Sequence, residues 1–515
     1  MSGFNKNSRR KNMFLASGVG VTTDAIKILM GFGYRTLFLY YLSVDYLGLN
    51  GLFSNILQVL SLAELGISTA IVYRFYEPIS RDDIEKTGQL MNFFGRVYHI
   101  IALGILAVGL LLLPFLHYCI NDADAVPDDV NIYVIFLLFL SQTLSSYVYV
   151  YKLTILNADQ KNYIINIINL LGIISGYGLQ IAVLVITKDY TMTLAVGIML
   201  NLVINFVSSV WVEQQYKDVF AVKSMLPKVE RKQIFEDVKA LMYHRVGTVV
   251  LTGTDGLVLT RVVSLSATGL YSNYSMIISN LQTLFSKVFG EYVSSIGNAK
   301  INLLHKEYYE LYLNMNFINS FVACCLTVGV FTCIDDFIRI WLGENYVLGP
   351  ITSAWLSFQL YMSISGLTNG VYTNAAGLFV KDRYRPLIES FLNLILSIIL
   401  ATRYGLVGVI VGTVISNLLT VWWRVPYVLY KYDFYEESML DYWKINISFM
   451  VWAMILSAGV LFAKTQIFIL DMSIKMWLLE GVLSIILAVV IVGRLYWGNK
   501  YLQNCIHKMK SDLGK

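Results

Sequence analysis

Six cationic side chains sit inside segments otherwise apolar enough to cross a membrane: Lys27, Arg35, Arg96, Arg261, Lys287 and Arg424. Each costs roughly 2.5–3.5 kcal/mol at a helix centre on insertion scales. A chain keeps such groups where they face a protein interior or a wet cavity, not lipid. Four acidic residues accompany them: Asp24, Glu64, Asp255 and Glu291. These ten residues predict a charged internal cavity with more bases than acids, whose cargo is therefore anionic.

The spacing gives the charges a geometry. Asp24 and Lys27 are three apart and share a helix face. Arg35 lies eleven residues beyond Asp24, near three full turns, so the ladder runs about 16 Å along one helix. Lys287 and Glu291 are four apart and share a face in the same way. Two readings stay open at this point. Arg35, Arg261, Lys27 and Lys287 are suited to a phosphate or pyrophosphate, the arginines as bidentate forks. Alternatively, Asp24–Lys27 and Lys287–Glu291 only neutralise each other and lock helices. Glu64 and Asp255 are candidates for ion coupling or for a structural hydrogen bond. Arg96 and Arg424 are placed to snorkel to the inner interface along their stems.

The elements that must position these groups follow from composition. The chain has 515 residues, 57% hydrophobic and 14% charged, with a mean hydropathy of +0.61. Soluble domains carry about 25% charged residues, so the deficit puts the chain in the membrane class. Fourteen stretches reach the length of a membrane span. They lie near 13–42, 47–72, 91–118, 131–151, 163–187, 190–212, 246–265, 269–297, 308–333, 350–379, 386–403, 405–430, 445–463 and 475–496. The fold expected is all-α and polytopic. The basic start, Lys6, Arg9, Arg10 and Lys11, precedes an uncleaved first span rather than a signal peptide. With the N-terminus inside, 28 of the 39 Lys and Arg fall in cytoplasmic segments, five in outer loops and six within spans. That asymmetry predicts cytoplasmic N- and C-termini.

The basic, Pro227-containing stretch 213–245 divides the first twelve spans into two sets of six. The predicted organisation is a bundle at 1–212, a cytoplasmic linker at 213–245, a second bundle at 246–430 and an extra helix pair with tail at 431–515. An even number of spans per half makes the halves parallel repeats about an axis along the membrane normal. An internal echo agrees with this. Gly48-Leu49-Asn50-Gly51-Leu52-Phe53-Ser54-Asn55 and Gly269-Leu270-Tyr271-Ser272-Asn273-Tyr274-Ser275 lie 221 residues apart. The Gly-rich runs at 172–178 and 405–412 fit close helix packing, and the many interfacial tyrosines and tryptophans fit an aromatic belt.

Several functions are excluded or disfavoured. No phosphate loop, nucleophile elbow or HExxH motif is present, so an ATPase is excluded and an enzyme is not expected. The loops are too short for a soluble catalytic domain. Five scattered histidines and five cysteines without a CxxC pair support neither a metal site nor a disulfide framework, and no cofactor is expected. A Cys119–Cys333 bridge is conceivable on topology, with inert packing the default. Basic residues in short loops rather than on one soluble face argue against nucleic acid.

One further pattern is family texture. Arg35-Thr36-Leu37-Phe38-Leu39-Tyr40-Tyr41-Leu42, Tyr46 to Phe53, Leu60-Ser61-Leu62-Ala63-Glu64-Leu65-Gly66-Ile67 and Leu156-Asn157-Ala158-Asp159-Gln160-Lys161 resemble the Wzx-like polysaccharide and O-antigen flippases. These are the polysaccharide-transporter branch of the multidrug/oligosaccharidyl-lipid/polysaccharide (MOP) exporter superfamily. The resemblance implies two six-helix bundles around a central cavity open alternately to either side. It implies an undecaprenyl-pyrophosphate-linked oligosaccharide as cargo, moved across the bacterial cytoplasmic membrane for capsule, exopolysaccharide or O-antigen synthesis. It also implies membrane lipids and the polysaccharide polymerase machinery as partners. By span and residue type, the family's cationic lumen maps onto Lys27, Arg35, Arg261 and Lys287. In the related lipid II flippases the last two of fourteen spans form a lipid-tail groove, a role open to the extra pair here. The competing expectation is a cation- or proton-coupled drug or metabolite antiporter of the same fold.

Overall fold

The computed structural model describes residues 6–61, 67–120, 126–466, 473–504 and 507, and among them every regular element is helical. Nineteen α-helices are assigned among these residues. They are α1 Lys6–Tyr41, α2 Val44–Leu60, α3 Ile67–Ser80, α4 Ile84–Leu112, α5 Ile132–Val148, α6 Thr154–Ala158, α7 Asn162–Thr187, α8 Tyr190–Gln215, α9 Lys217–Ala221 and α10 Lys228–Val258. There follow α11 Leu265–Gly290, α12 Tyr292–Asn302, α13 His305–Leu342, α14 Pro350–Ser365, α15 Leu367–Ala375, α16 Arg385–Leu419, α17 Val421–Tyr432, α18 Met439–Gln466 and α19 Ile474–Leu495. Eight described segments are long and apolar enough to cross a membrane, which makes this a multi-pass membrane protein. Helices α1, α10 and α11 are not among the eight, and they carry Asp24, Lys27, Arg35, Asp255 and Lys287, five of the ten expected intramembrane charges.

Helix starts are set by local chemistry. Asp83, Asn131, Asp189 and Ser473 each accept from a backbone N–H of the first turn of α4, α5, α8 and α19. The α7–α8 turn is two residues long, with Lys188 left-handed at φ 54. Pro350 opens α14, where its missing N–H costs nothing.

The chain packs as two compact units, Met1–Gly269 and Leu270–Lys515. In the first, α1 lies along α7, α7 along α8, and α5 is flanked by α4 and α8, while α10 packs on α2. In the second, α13 is the central post, with α14, α18 and α19 against it. The extra pair does not form a tight hairpin. Both α18 and α19 pack along α13 and barely touch each other. Gly329 and Gly481 make this possible, because a Cβ there would meet Ile485 and the Cys333 sulfur at 2.7 and 2.9 Å. The unit boundary falls inside the predicted second bundle. It reflects packing, which is a different property from the sequence repeat.

Four segments differ in detail from the expected spans. In the 47–72 stretch the described residues belong to α2 and α3, and residues 62–66 lie outside the described residues. The 350–379 stretch breaks at Gly366 into α14 and α15. Half of the expected linker is the start of α10, because Pro227 and Glu230 are good helix-opening residues and Glu230 pairs with Lys86. Its other half, α9, docks on α4, where a Cβ at Gly88 would fall 2.6 Å from the Val219 carbonyl oxygen. The turn expected near 404 is a single residue, Gly405 at φ 57 and ψ −135, about which α16 folds back on itself. Cβ atoms at Gly408 and Gly412 would meet Leu400 O at 2.1 Å and Ser397 N at 2.8 Å.

Candidate functional site

The expected charge ladder lies on a helix anchored to its neighbour. In α1, Thr23 Oγ1 donates to the Asn166 carbonyl of α7 at 3.4 Å, and the Tyr34 and Tyr177 rings are 5.4 Å apart. Asp24 and Arg35 are half-buried and Lys27 is exposed. Arg261 sits on a π-helical turn, Leu259–Val263, that continues α10, the kind of irregularity often found at functional sites. It is exposed, and its Nη1 donates to the Ile120 carbonyl at 3.3 Å. A guanidinium has five donors, so this bond leaves others to spend. Asp255, earlier on α10, is half-buried. In the second unit, Lys287 ends α11 and Glu291 stands at the α11–α12 junction, both exposed. Glu64 lies outside the described residues.

Arg424 does not simply snorkel. It stands 3.7 Å from Asp382 and over the Tyr427 ring, while Asp382 also accepts from Arg385. Arg96 is exposed and contacts Met225. Among the described residues, no cluster of metal-ligating side chains is found, and Cys119, Cys324, Cys325 and Cys333 are free thiols.

Sequence reasoning missed two polar features and read a third only as family texture. The first is a cavity of about 510 Å³ in the first unit. Three helices build it: Ser54 and Gln58 from α2, Gln142, Thr143 and Ser146 from α5, and Asn201 and Asn205 from α8. Asn205 Nδ2 donates to Ser145 Oγ at 2.9 Å and to Asn201 Oδ1 at 3.0 Å, which fixes the amides at its wall. Among the described residues, no charged side chain lines it, and none of the seven expected site residues that are described does. The available signal was Asn201 and Asn205, four apart in an apolar run.

The second is an ionic knot in the second unit. Lys464 of α18 reaches Asp336 of α13 at 2.5 Å and Glu480 of α19 at 2.7 Å. Arg339 also pairs with Asp336, and with Glu344 at 2.5 Å. The hydrogen bond from Arg339 holds the Glu344 carboxyl below its usual range. Neighbouring Asp335 accepts from Tyr274 and Ser353, both at 2.6 Å.

The third is the turn carrying Asp159-Gln160-Lys161. Asp159 accepts from Tyr216 at 2.6 Å and pairs with Lys161 at 2.7 Å, with Gln160 left-handed at φ 56. Burial first, and then the bond to Asp159, push the Tyr216 phenol above its usual value.

The backbone path over most of the chain matches a solved structure of the lipid II flippase MurJ in an inward closed conformation. The TM-score is 0.65 at 16% identity, covering 93% of this chain and 99% of that one. An inward-facing multidrug resistance MATE family transporter of the MOP superfamily matches at TM-score 0.56 and 13% identity, covering 86% of this chain and 98% of that one. The fold is the one these two solved structures share. A Vibrio cholerae MATE transporter, VcmN, shares it at TM-score 0.50 and 13% identity, covering 83% of this chain and 98% of that one. No protein-family model matches the sequence, and no curated protein matches it. The similarity is therefore one of architecture, carried by helix order and packing rather than by residue identity.

Proposed function

We propose that this chain is a flippase of the Wzx type. It moves undecaprenyl-pyrophosphate-linked oligosaccharide units from the inner to the outer leaflet of the bacterial cytoplasmic membrane by alternating access, with both termini in the cytoplasm. The observation that carries this reading is the cationic excess on α1, the α10 segment and α11, long helices that are not among the eight apolar spans. Lys27 and Arg35 lie on α1, Arg261 on the π turn after α10 and Lys287 on α11. Their proposed role is to hold the pyrophosphate, with Asp24, Glu64, Asp255 and Glu291 for ion coupling or pairing. The MurJ likeness supports a lipid-linked cargo, and the solved structures it resembles are a flippase and a transporter, so no catalytic role is assigned.

The MATE likeness favours a second reading, a coupled drug or metabolite antiporter. A cavity for cationic drugs requires unpaired acids, and the net basic set argues against it. Deletion in the host separates the two. The flippase reading expects loss of surface polysaccharide with lipid-linked units accumulating on the inner leaflet. Normal export together with drug hypersensitivity contradicts it.

A further inference from the structure

We infer that the uncharged cavity of the first unit is a carbohydrate subsite, taking neutral, hydroxyl-rich rings of the cargo; this rests on the flippase reading above. Polar side chains inside apolar helices cost free energy unless they are satisfied by protein, water or ligand. Here seven amide and hydroxyl side chains from α2, α5 and α8 line one space. Thr143 and Ser146 donate to carbonyls of their own helix and Asn205 to Ser145 and Asn201, which leaves acceptor capacity on these hydroxyls and amides. Its volume, about 510 Å³, lies within the usual range of roughly 300–1,000 Å³ for small-molecule sites.

The chemistry of the lining selects the ligand class. Amides and hydroxyls both donate and accept, as sugar hydroxyls do. Among the described residues, no Asp, Glu, Lys, Arg or His stands on the wall, so none of them compensates the desolvation of an ionised ligand. A drug cation and a pyrophosphate are both poor occupants. Phe139 and Tyr147 add aromatic surface to the lining, which suits the apolar face of a pyranose. The polar residues lie in the C-terminal halves of α2 and α5. On the proposed orientation that is the cytoplasmic half, the side from which cargo is collected.

The subsite thus separates two tasks. Cations elsewhere recognise the carrier's pyrophosphate, and this cavity recognises the glycan. The test uses the purified full chain in detergent and a panel of carrier-free neutral oligosaccharides: maltotriose, cellotriose, chitotriose and a galactose-containing trisaccharide. Calorimetry is expected to show binding of at least one of them. Affinity should fall at least tenfold in Gln58→Met/Gln142→Met, and less in Thr143→Val, which removes a single hydroxyl. Ser175→Ala, on α7 away from the cavity, should bind like the wild type. If no panel member binds the wild type, or if binding survives in the double variant with its gel-filtration profile intact, the inference is overturned. Tetraphenylphosphonium binding that the double variant abolishes also overturns it, in favour of a cation pocket. Failure of the flippase reading looks different: glycan binding persists while reconstituted protein moves no lipid-linked oligosaccharide.

Discussion

Ser266 donates a hydrogen bond to Asp45, and the two residues stand 221 positions apart. The same offset exchanges their neighbours. A Cβ at Gly48 would fall 2.3 Å from the Leu265 carbonyl oxygen, and one at Gly269 would fall 2.2 Å from the Val44 carbonyl oxygen. Val44 plus 221 is Leu265, and Gly48 plus 221 is Gly269. The first turns of α2 and α11 therefore make reciprocal contacts, as a local two-fold produces. The sequence echo supplies the two glycines that this close approach requires.

Reciprocity makes a quantitative prediction. Gly48→Val and Gly269→Val must each displace backbone, so each should destabilise by about 1–3 kcal/mol or more, and by similar amounts. Gly33→Ala, with open space around it, is the control and should change little. Thermal unfolding in detergent, followed by tryptophan fluorescence, reads all three. Unequal losses at positions 48 and 269 would break the symmetry argument.

Gly405 turns α16 back on itself at φ 57 and ψ −135, a backbone region that side chains avoid. Gly405→Ala should cost about 1–3 kcal/mol. Gly459→Ala, at an open helical position in α18, should be neutral or slightly stabilising. The comparison is made by melting temperature at equal expression.

The Lys464 knot ties α18 and α19 to α13. Lys464→Met leaves Asp336 to Arg339 alone and strips Glu480 of its cation. The expected loss is about 1–3 kcal/mol. Lys464→Met/Glu480→Gln should recover part of it, because the uncompensated carboxylate is gone. A double variant less stable than the single one refutes the coupling. Proteolysis of the α18–α19 connection in membranes is a second readout.

The fold was legible wherever apolar length and loop charge speak together. Helices α5, α7, α8 and α19 start within two residues of the expected spans, because caps and short turns coincide with the change in hydropathy. Segments where a helix breaks without losing hydropathy were not legible. Gly366 interrupts a run that composition alone reads as continuous. The charged residues of α1 and α10 announced themselves by their cost in lipid. The amide cavity did not, because Gln58, Gln142, Asn201 and Asn205 are mildly polar and far apart in sequence, and only folding brings them together. Lys464 and Arg339 counted as loop charges, yet the structure joins them to Asp336, which becomes visible only once α13 runs on to Leu342.

Arg35 offers the sharpest single-residue test of anion recognition. Arg35→Ala should reduce transport at least tenfold with normal membrane levels, and Arg35→Lys should restore part of it, separating charge from the guanidinium fork. Complementation of a flippase-null strain reads both. Full activity in the alanine variant would make Arg35 structural.

The most direct measurement is flipping by the reconstituted wild-type chain. Proteoliposomes carry a fluorescent undecaprenyl-pyrophosphate oligosaccharide, and the fraction reaching the opposite leaflet is read by glycosidase access from outside. The account predicts protein-dependent exposure of the lipid-linked glycan, with no uptake of cationic drugs in parallel vesicles. Drug uptake without glycan exposure would contradict it and would identify an antiporter on the same fold.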